Sequence, residues 1–243
     1  MSSFEPMTRL TLIGHLEELR RRLLICVAAW AVGTIAGLAT ATRLIAWLVR
    51  PARPFLPTLA FFTPTEPLTA SLKVAATAGV LLSLPVWLAQ AWGFVQPGLT
   101  PRERRLGAAF VIGGSLLFLG GAALGYWTLV PFMLKFLLTF GQGMFEPVIS
   151  IGTYLSFVAG LLVACGAACE LPLAVYLLTR VGLVTHEHLV RWRGLALIVL
   201  LVIAAIITPT TDALTLAAVA LPLALLYECS ILVAWLAGRR PIG

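Results

Sequence analysis

Residues 154–178 read YLSFVAGLLVACGAACELPLAVYLL, a stretch in which Glu170 is the one charged side chain. A helix that crosses the hydrocarbon core of a bilayer needs about 20 apolar residues. The same pattern holds for the whole chain of 243 residues, of which 60% are hydrophobic and 11% charged, with a mean hydropathy of +1.00. A soluble domain carries about 25% charged residues. The sequence therefore predicts an integral membrane protein and excludes soluble enzyme folds.

The apolar runs predict an all-α protein with six transmembrane helices. The runs are long and rich in Leu and Ala, and they lack the alternation of barrel strands. A single membrane domain is expected over residues 1–243, with spans at about 23–42, 69–91, 106–130, 154–178, 194–207 and 214–237. An amphipathic helix over residues 7–22 precedes them. The fifth span is short, because its clean apolar run gives about 20 Å of helix against a hydrocarbon core of about 30 Å.

The basic residues between the spans predict the orientation. Twelve lie on the side of the two termini and five on the other side. Because Lys and Arg favour the cytoplasmic side, both termini are expected in the cytoplasm. The net charge of +7 is thus a topology signal and not a nucleic-acid footprint. The outside segments, 44–68 and 131–149, are rich in proline and apolar residues, and we expect them to pack on each other or on the membrane as a cap.

Signatures of catalysis and of cofactor binding are absent from the sequence. It contains no HExxH, no GxSxG and no P-loop. The four cysteines fall inside apolar runs without CxxC spacing, so they are expected to be buried small hydrophobic residues and not metal ligands or disulfides. Neither a metal nor a cofactor is expected.

Two carboxylates, Glu170 and Glu228, lie inside predicted spans. A central carboxylate costs about 2.5–3.5 kcal/mol on insertion scales, so protonation or a polar partner must offset that cost. Two interpretations stay open: a neutral, hydrogen-bonded packing residue, or a polar contact inside a groove. Pro85 and Pro172 lie inside the second and fourth spans and predict kinks there. We expect Glu170 to face the concave side of the protein.

Several motifs carry a family resemblance. His15–Arg22 reads HLEELRRR and resembles the HLxELRxR opening of the TatC family, the multi-spanning receptors of the twin-arginine protein translocase. Further family blocks follow in order and at family spacing: Thr65-Glu66-Pro67, Trp92-x-Phe94-x-x-Pro97-Gly98-Leu99, Glu103-Arg104-Arg105, Tyr154-Leu155-Ser156-Phe157, Glu170-Leu171-Pro172, Thr208-Pro209 with Asp212, and Tyr227-Glu228. The similarity covers nearly the whole chain.

This resemblance implies a concave, glove-like bundle of six helices with short fifth and sixth helices and both termini inside. The protein would lie in a bacterial or archaeal cytoplasmic membrane and bind twin-arginine signal peptides of folded cargo. Its partners would be TatA- and TatB-like single-span proteins, further copies of itself and membrane lipid, with no nucleic acid. Transport would be powered by the proton-motive force.

The resemblance also implies the residues of the signal-peptide site: Glu18, Arg20, Phe94, Glu103 and Arg105. The chemistry agrees with this assignment, since two guanidinium groups need carboxylate acceptors and such pairs can be bidentate. Glu18 and Glu103 would supply the acceptors. Neighbouring arginines would hold these carboxylates in place before cargo arrives. Helical spacing by itself predicts that Glu17 pairs with Arg21 and Glu18 with Arg22 at i,i+4.

A second set of residues is expected to make intramembrane polar contacts or contacts with a partner helix: Glu170, Thr208, Asp212, Thr215 and Glu228. All of them except Thr215 belong to the family blocks. One position departs from the family pattern, because Leu216 stands where many relatives have Gln. Thr208 and Thr215 are the expected substitutes for that missing polar contact. Pro51 matches a family position in the first external segment, with an expected structural role.

Two other classes of protein compete with this interpretation. A small-molecule secondary transporter would also explain six helices, kinks and a buried Glu170, but it has no use for paired cytoplasmic carboxylates. A membrane-embedded enzyme is disfavoured, because no nucleophile and base occur as a set.

Overall fold

The computed structural model of the protein describes residues 7–56, 58–99, 101–139, 148–180, 182–208 and 213–238, apart from the side chains of residues 7–13, 98, 102, 103, 214 and 215. Within these ranges the chain forms ten α-helices: α1 (Met7–Ala39), α2 (Ala41–Leu48), α3 (Glu66–Val95), α4 (Pro101–Arg104), α5 (Gly107–Leu124), α6 (Val130–Thr139), α7 (Ile151–Arg180), α8 (His186–Arg191), α9 (Arg193–Ile207) and α10 (Ala213–Gly238). Short 3₁₀ turns occupy Arg50–Ala52 and Gln96–Gly98, and a π-helical turn occupies Gly125–Leu129.

Five helical stretches of the described chain are long and apolar enough to cross a membrane: Gly14–Ala39, Glu66–Val95, Gly107–Thr139, Ile151–Arg180 and Leu216–Gly238. Helix α9 has only 15 residues, about 22 Å, which is shorter than a hydrocarbon core of about 30 Å. The predicted short fifth helix is therefore confirmed. The prediction of a short sixth helix is wrong, because α10 has 26 residues. Glu228 interrupts the apolar run of this helix, but its charge has an ionic partner.

Helix α1 is one continuous helix, whereas the sequence predicted an amphipathic helix over 7–22 and a separate span over 23–42. Residues 15–32 contain neither glycine nor proline, so nothing in the backbone chemistry ends the first helix at Arg22. The charged opening motif and the apolar span therefore share one rigid axis.

The third span extends to Thr139, nine residues beyond the predicted end at Val130. Pro131 has no N–H and ordinarily breaks an α-helix. Here the π turn over Gly125–Leu129 directly precedes it and widens the backbone, so the helix continues as α6. Tyr126 in that turn stacks on Trp47 at 4.0 Å and donates to the Trp47 carbonyl at 2.7 Å.

The helices approach one another closely at small residues. A Cβ added to Gly37 of α1 would lie 2.7 Å from the Ala75 carbonyl oxygen of α3, and one added to Gly121 of α5 would lie 2.5 Å from the Cys165 carbonyl oxygen of α7. Helix α7 is the most buried of the five long spans and packs on α3, α5 and α10. Helices α3 and α7 continue through Pro85 and Pro172.

The two ends of the bundle differ in chemistry. One end, which we name the arginine-rich end, is defined by Arg20, Arg21, Arg22, Arg104, Arg105, Arg180, Arg191 and Arg193. At the other end, which we name the bridge end, Ala60 and Ser150 form an isolated parallel bridge: the Ala60 N–H donates to Ile149 at 3.1 Å, and the Ile151 N–H donates to Ala60 at 2.8 Å. The packing predicted between segments 44–68 and 131–149 is thus confirmed at Ala60 and Ile149.

The structure shows the backbone at Pro51 and the burial of the four cysteines. Pro51 is the second residue of the 3₁₀ turn Arg50–Ala52, whose last residue, Ala52, is fully buried, and its structural role stays a prediction. All four thiols are free: Cys165 is buried, Cys26 and Cys169 are half-buried, and Cys229 is exposed. The expectation of burial is wrong for Cys229, whose side chain lies on the outer face of α10, directly after the ion-paired Glu228.

Candidate functional site

At the arginine-rich end, the start of α1 meets the end of α3 around Arg22. The Arg22 Nε and Nη2 donate to Glu18 Oε1 at 3.0 and 2.6 Å, and Nη1 donates to the Gln90 carbonyl at 3.3 Å and to the Gln90 side chain at 3.4 Å. Gly93 makes room for this guanidinium, because a Cβ there would overlap it. The predicted i,i+4 pair of Glu18 and Arg22 is confirmed, and Arg22 fixes the Glu18 carboxylate against α3.

An aromatic contact closes the same junction. His15, one turn before Glu18, stacks on Phe94 of α3 with ring centroids 4.5 Å apart. Phe94 is half-buried and Glu18 keeps 36% of its side chain exposed, so a carboxylate and an aromatic ring lie side by side at an open surface. Sequence reasoning gave His15 no weight, because its role depends on a residue 79 positions away.

The other predicted residues of this site are Arg20, Glu103 and Arg105. Arg20 is exposed on α1, and Arg105 is exposed just after α4. Glu103 belongs to α4, but its side chain lies outside the described residues. Next to it, Arg104 donates to the carbonyls of Leu99 and Pro97, both at 3.2 Å, and so closes the turn that carries Glu103 out of the end of α3.

Glu170 lies ten residues before the end of α7, about 15 Å from the arginine-rich end. Its side chain packs against α5, where Oε2 is 3.2 Å from the position a Cβ on Gly114 would take. Its Oε1 is buried, and the described residues give this oxygen no hydrogen-bond partner. A buried polar atom without a partner is uncommon in folded proteins and marks Glu170 for a functional explanation.

Glu228 has the polar partner that the sequence analysis required. The Arg193 Nη2 at the start of α9 donates to Glu228 Oε2 at 2.6 Å, and both side chains are about half exposed. The neighbouring Tyr227 hydroxyl donates to the Leu189 carbonyl of α8 at 2.9 Å. These contacts hold α8 and α9 against α10. The Glu228 carboxylate therefore has a structural role.

Thr208 lies at the end of α9, where its hydroxyl donates to the Ala204 carbonyl at 3.0 Å. It lines a pocket with Glu66 and Lys73 of α3 and Ser156 of α7. Asp212 and the side chain of Thr215 lie outside the described residues, and Leu216 packs against the core.

Sequence reasoning missed several residues that build these places. It did not single out Gln90 at the junction of α1 and α3, nor Lys73 in the pocket. Polar residues at positions 66, 69 and 73 of α3 share one helical face, and that spacing is the signal that points to the pocket. Among the described residues, no group of three or more His, Cys, Asp or Glu side chains is placed to hold a metal ion.

The fold and these contacts define a multi-pass α-helical membrane protein whose charged groups collect at helix ends and helix junctions. Residues 14–222 match the family TatC, Sec-independent protein translocase protein, and the chain belongs to the TatC family. It is accordingly a component of the Sec-independent protein translocase, a transport protein.

Relatives of known name agree over most of their length. The chain is 36% identical to the Sec-independent protein translocase protein TatC of Carboxydothermus hydrogenoformans, covering 93% of each chain, and 38% identical to that of Aquifex aeolicus, covering 94% of this chain and 96% of the relative. A crystal structure of the twin arginine translocase receptor TatC superposes with a TM-score of 0.86 at 38% identity, over 93% of this chain and 100% of the other.

Proposed function

We propose that this chain is the receptor subunit of the translocase and binds twin-arginine signal peptides at the arginine-rich end. The observation that carries the proposal is the Glu18 carboxylate, which Arg22 holds against α3 while more than a third of the side chain stays exposed. The crystal structure to which the chain is similar is named as a twin arginine translocase receptor, which supports this assignment.

The recognition chemistry follows from the charges. A twin-arginine peptide brings two planar guanidinium groups, and each needs a carboxylate acceptor. Glu18 Oε1 already accepts from Arg22, so Oε2 is the oxygen proposed for the peptide. Glu103 is proposed as the acceptor for the second guanidinium, and the Phe94 ring as an apolar contact beside it. Arg20 and Arg105 are proposed to keep the carboxylates ionised and correctly placed.

The orientation and the partners belong to the same proposal. The arginine-rich end is proposed to face the cytoplasm, because basic residues favour that side. Single-span TatA- and TatB-like proteins are proposed to contact Glu170 and the connection from α9 to α10 with Thr208, Asp212 and Thr215. We further propose that the protein is a concave bundle of six spans and that transport is powered by the proton-motive force. Glu228 is left out of the partner contacts, since Arg193 already pairs with it.

The test is photocrosslinking of the membrane-inserted protein to a peptide that carries paired arginines, with a paired-lysine peptide as the control ligand. Glu18→Ala and Glu103→Ala should each abolish the crosslink, because each removes the carboxylate that would accept one guanidinium of the peptide. Glu17→Ala is the matched control, since Glu17 is an exposed carboxylate on the same helix turn, and it should retain the crosslink. Full crosslinking by both Glu18→Ala and Glu103→Ala would contradict the proposal.

A further inference from the structure

The pocket at the bridge end has a polar half and an apolar half. It has a volume of about 500 Å³ and lies between α3, α7 and the end of α9. Glu66, Lys73, Ser156 and Thr208 line the polar half, and Gly160 and Ile206 line the apolar half. Neither half contains a residue of the proposed signal-peptide site. Thr208, which is proposed to contact a partner helix, is one of the lining residues, and the signal-peptide site does not account for the others.

Lys73 is the one cation among the described residues that line the pocket, and its charge also acts on the Glu66 carboxylate in the same half. Its Nζ donates to Ser156 Oγ at 2.8 Å, and the side chain is exposed. Among the described residues no carboxylate pairs with this ammonium within 4.0 Å. Glu66 is the one carboxylate among the described lining residues, and its oxygens accept from the N–H groups of Phe62 and Gly152 and from the Ser150 hydroxyl. An ammonium has three N–H donors, so Lys73 is a cation prepared for an additional acceptor.

The depth of Lys73 selects the kind of anion. Lys73 lies seven residues into α3 and Ser156 five residues into α7, or about 8–10 Å from the bridge end. Helix α7 is about 45 Å long, and a centred hydrocarbon core of about 30 Å leaves about 7 Å of it protruding at each end. The ammonium thus lies at the border between hydrocarbon and headgroups, where the phosphates of the lipid leaflet are in reach.

The short helix α9 supplies the apolar half. A Cβ on Gly160 of α7 would meet Ile207, the last residue of α9, at 3.5 Å. Gly160 lies nine residues into α7, so α9 ends about 13 Å below the start of α7. The pocket runs from this step, past the exposed Ile206, toward the lipid phase. An amphipathic molecule with an anionic head and an acyl chain matches both halves.

We propose that the pocket binds one phospholipid of the bridge-end leaflet, with its phosphate on Lys73 and an acyl chain along Gly160 and Ile206. A phosphate matches the ammonium, since Lys binds phosphate as a point charge. Ser156 positions this ammonium, because its oxygen accepts from Lys73 while its own proton goes to the Gly152 carbonyl at 2.6 Å. A bound lipid also offsets the hydrophobic mismatch that short α9 creates at this face.

Native mass spectrometry of the full chain tests this proposal, after reconstitution with equal amounts of phosphatidylethanolamine and phosphatidylglycerol and extraction in mild detergent. The unaltered protein should retain one phospholipid, and Lys73→Ala should lower its occupancy about tenfold or more, as expected for a lost charge-assisted hydrogen bond. Lys73→Arg should retain the lipid. Lys135→Ala is the matched control, because Lys135 is an exposed lysine on α6, outside the pocket, and its loss should change nothing.

A second variant keeps the test independent of Lys73. Gly160→Leu adds a side chain that fills the apolar half, and its Cβ meets no atom closer than 3.5 Å, so the helix is expected to fold normally. It should also lose the lipid. Equal lipid retention by Lys73→Ala, Gly160→Leu and the unaltered protein would overturn the proposal. So would a photoreactive residue at Thr153, on the pocket rim, that crosslinks only to a protein helix and never to lipid. Signal-peptide crosslinking is expected to be unaffected, so the two proposals fail separately.

Discussion

Arg193 and Glu228 join α9 to α10 through a hydrogen bond of 2.6 Å between Nη2 and Oε2. Glu228 lies ten residues before the end of α10, so the start of the short helix α9 is held about 15 Å below that end. Together with the Tyr227 contact to Leu189, the pair determines where α8 and α9 lie along α10. The ion pair and the tyrosine thus add polar contacts to the apolar packing of α9, whose Leu200 and Ala204 are buried in the core.

A double-mutant cycle measures the strength of this ion pair. Arg193→Ala and Glu228→Ala should each lower the free energy of unfolding in detergent, and the double variant should lose less than the sum of the two. Both side chains are about half exposed, so the coupling energy should be modest, about 0.5–1 kcal/mol. Strictly additive losses would show that the pair contributes nothing to stability.

Two adjacent glycines of α5 provide a matched test of helix packing. Gly121→Ala should destabilise the protein by about 1–3 kcal/mol, because the new Cβ would lie 2.5 Å from the Cys165 carbonyl oxygen and push α5 off α7. Gly120→Ala should be neutral or slightly stabilising, since nothing lies within 4 Å and alanine favours the helix. The measurement is thermal loss of helical circular dichroism in detergent, and equal midpoints for both variants would contradict this account.

Hydropathy predicted most of the fold correctly, because a bilayer fixes the length and composition of its spans. The bounds of α9 and α10 differ from prediction by at most one residue at each end. The errors have physical causes. Proline ordinarily ends a helix, but the π turn before Pro131 lets the helix continue. No local signal separates the charged opening of α1 from its apolar span, so the two form one helix.

The candidate site could be predicted only where its residues are neighbours in the chain. The pair of Glu18 and Arg22 follows from helical spacing alone. By contrast, the His15–Phe94 stack and the Lys73–Ser156 hydrogen bond join residues about 80 positions apart, so they depend on how helices pair. The ion pair of Glu228 also joins two helices, so its partner could not be predicted from helical spacing. Periodicity identifies the face of a helix but not what that face meets.

Orientation in the membrane is tested by labelling single cysteines in a variant whose four native cysteines are replaced. Arg53→Cys, at an exposed position of the bridge end, should react with an impermeant maleimide in intact cells. Glu187→Cys, an exposed position in α8 at the arginine-rich end, should react only after the membrane is opened. The expectation rests on the bias of basic residues toward the cytoplasmic side. Labelling of Glu187→Cys in intact cells would reverse the proposed orientation.

Glu170 should act in partner association rather than in signal-peptide recognition. Glu170 is half-buried and packs against α5 at Gly114, about 15 Å from the arginine-rich end, with Oε1 lacking a partner among the described residues. Because an unpaired buried polar atom is costly, a polar group on a partner helix that reaches it would gain a strong contact. Glu170→Gln keeps most hydrogen-bonding capacity and should retain much of the transport of folded cargo. Glu170→Ala should lower co-purification of single-span partners, while crosslinking to the twin-arginine peptide stays unchanged. Normal transport and normal complex size in both Glu170→Ala and Glu170→Leu would reduce the residue to a tolerated packing element between α5 and α7.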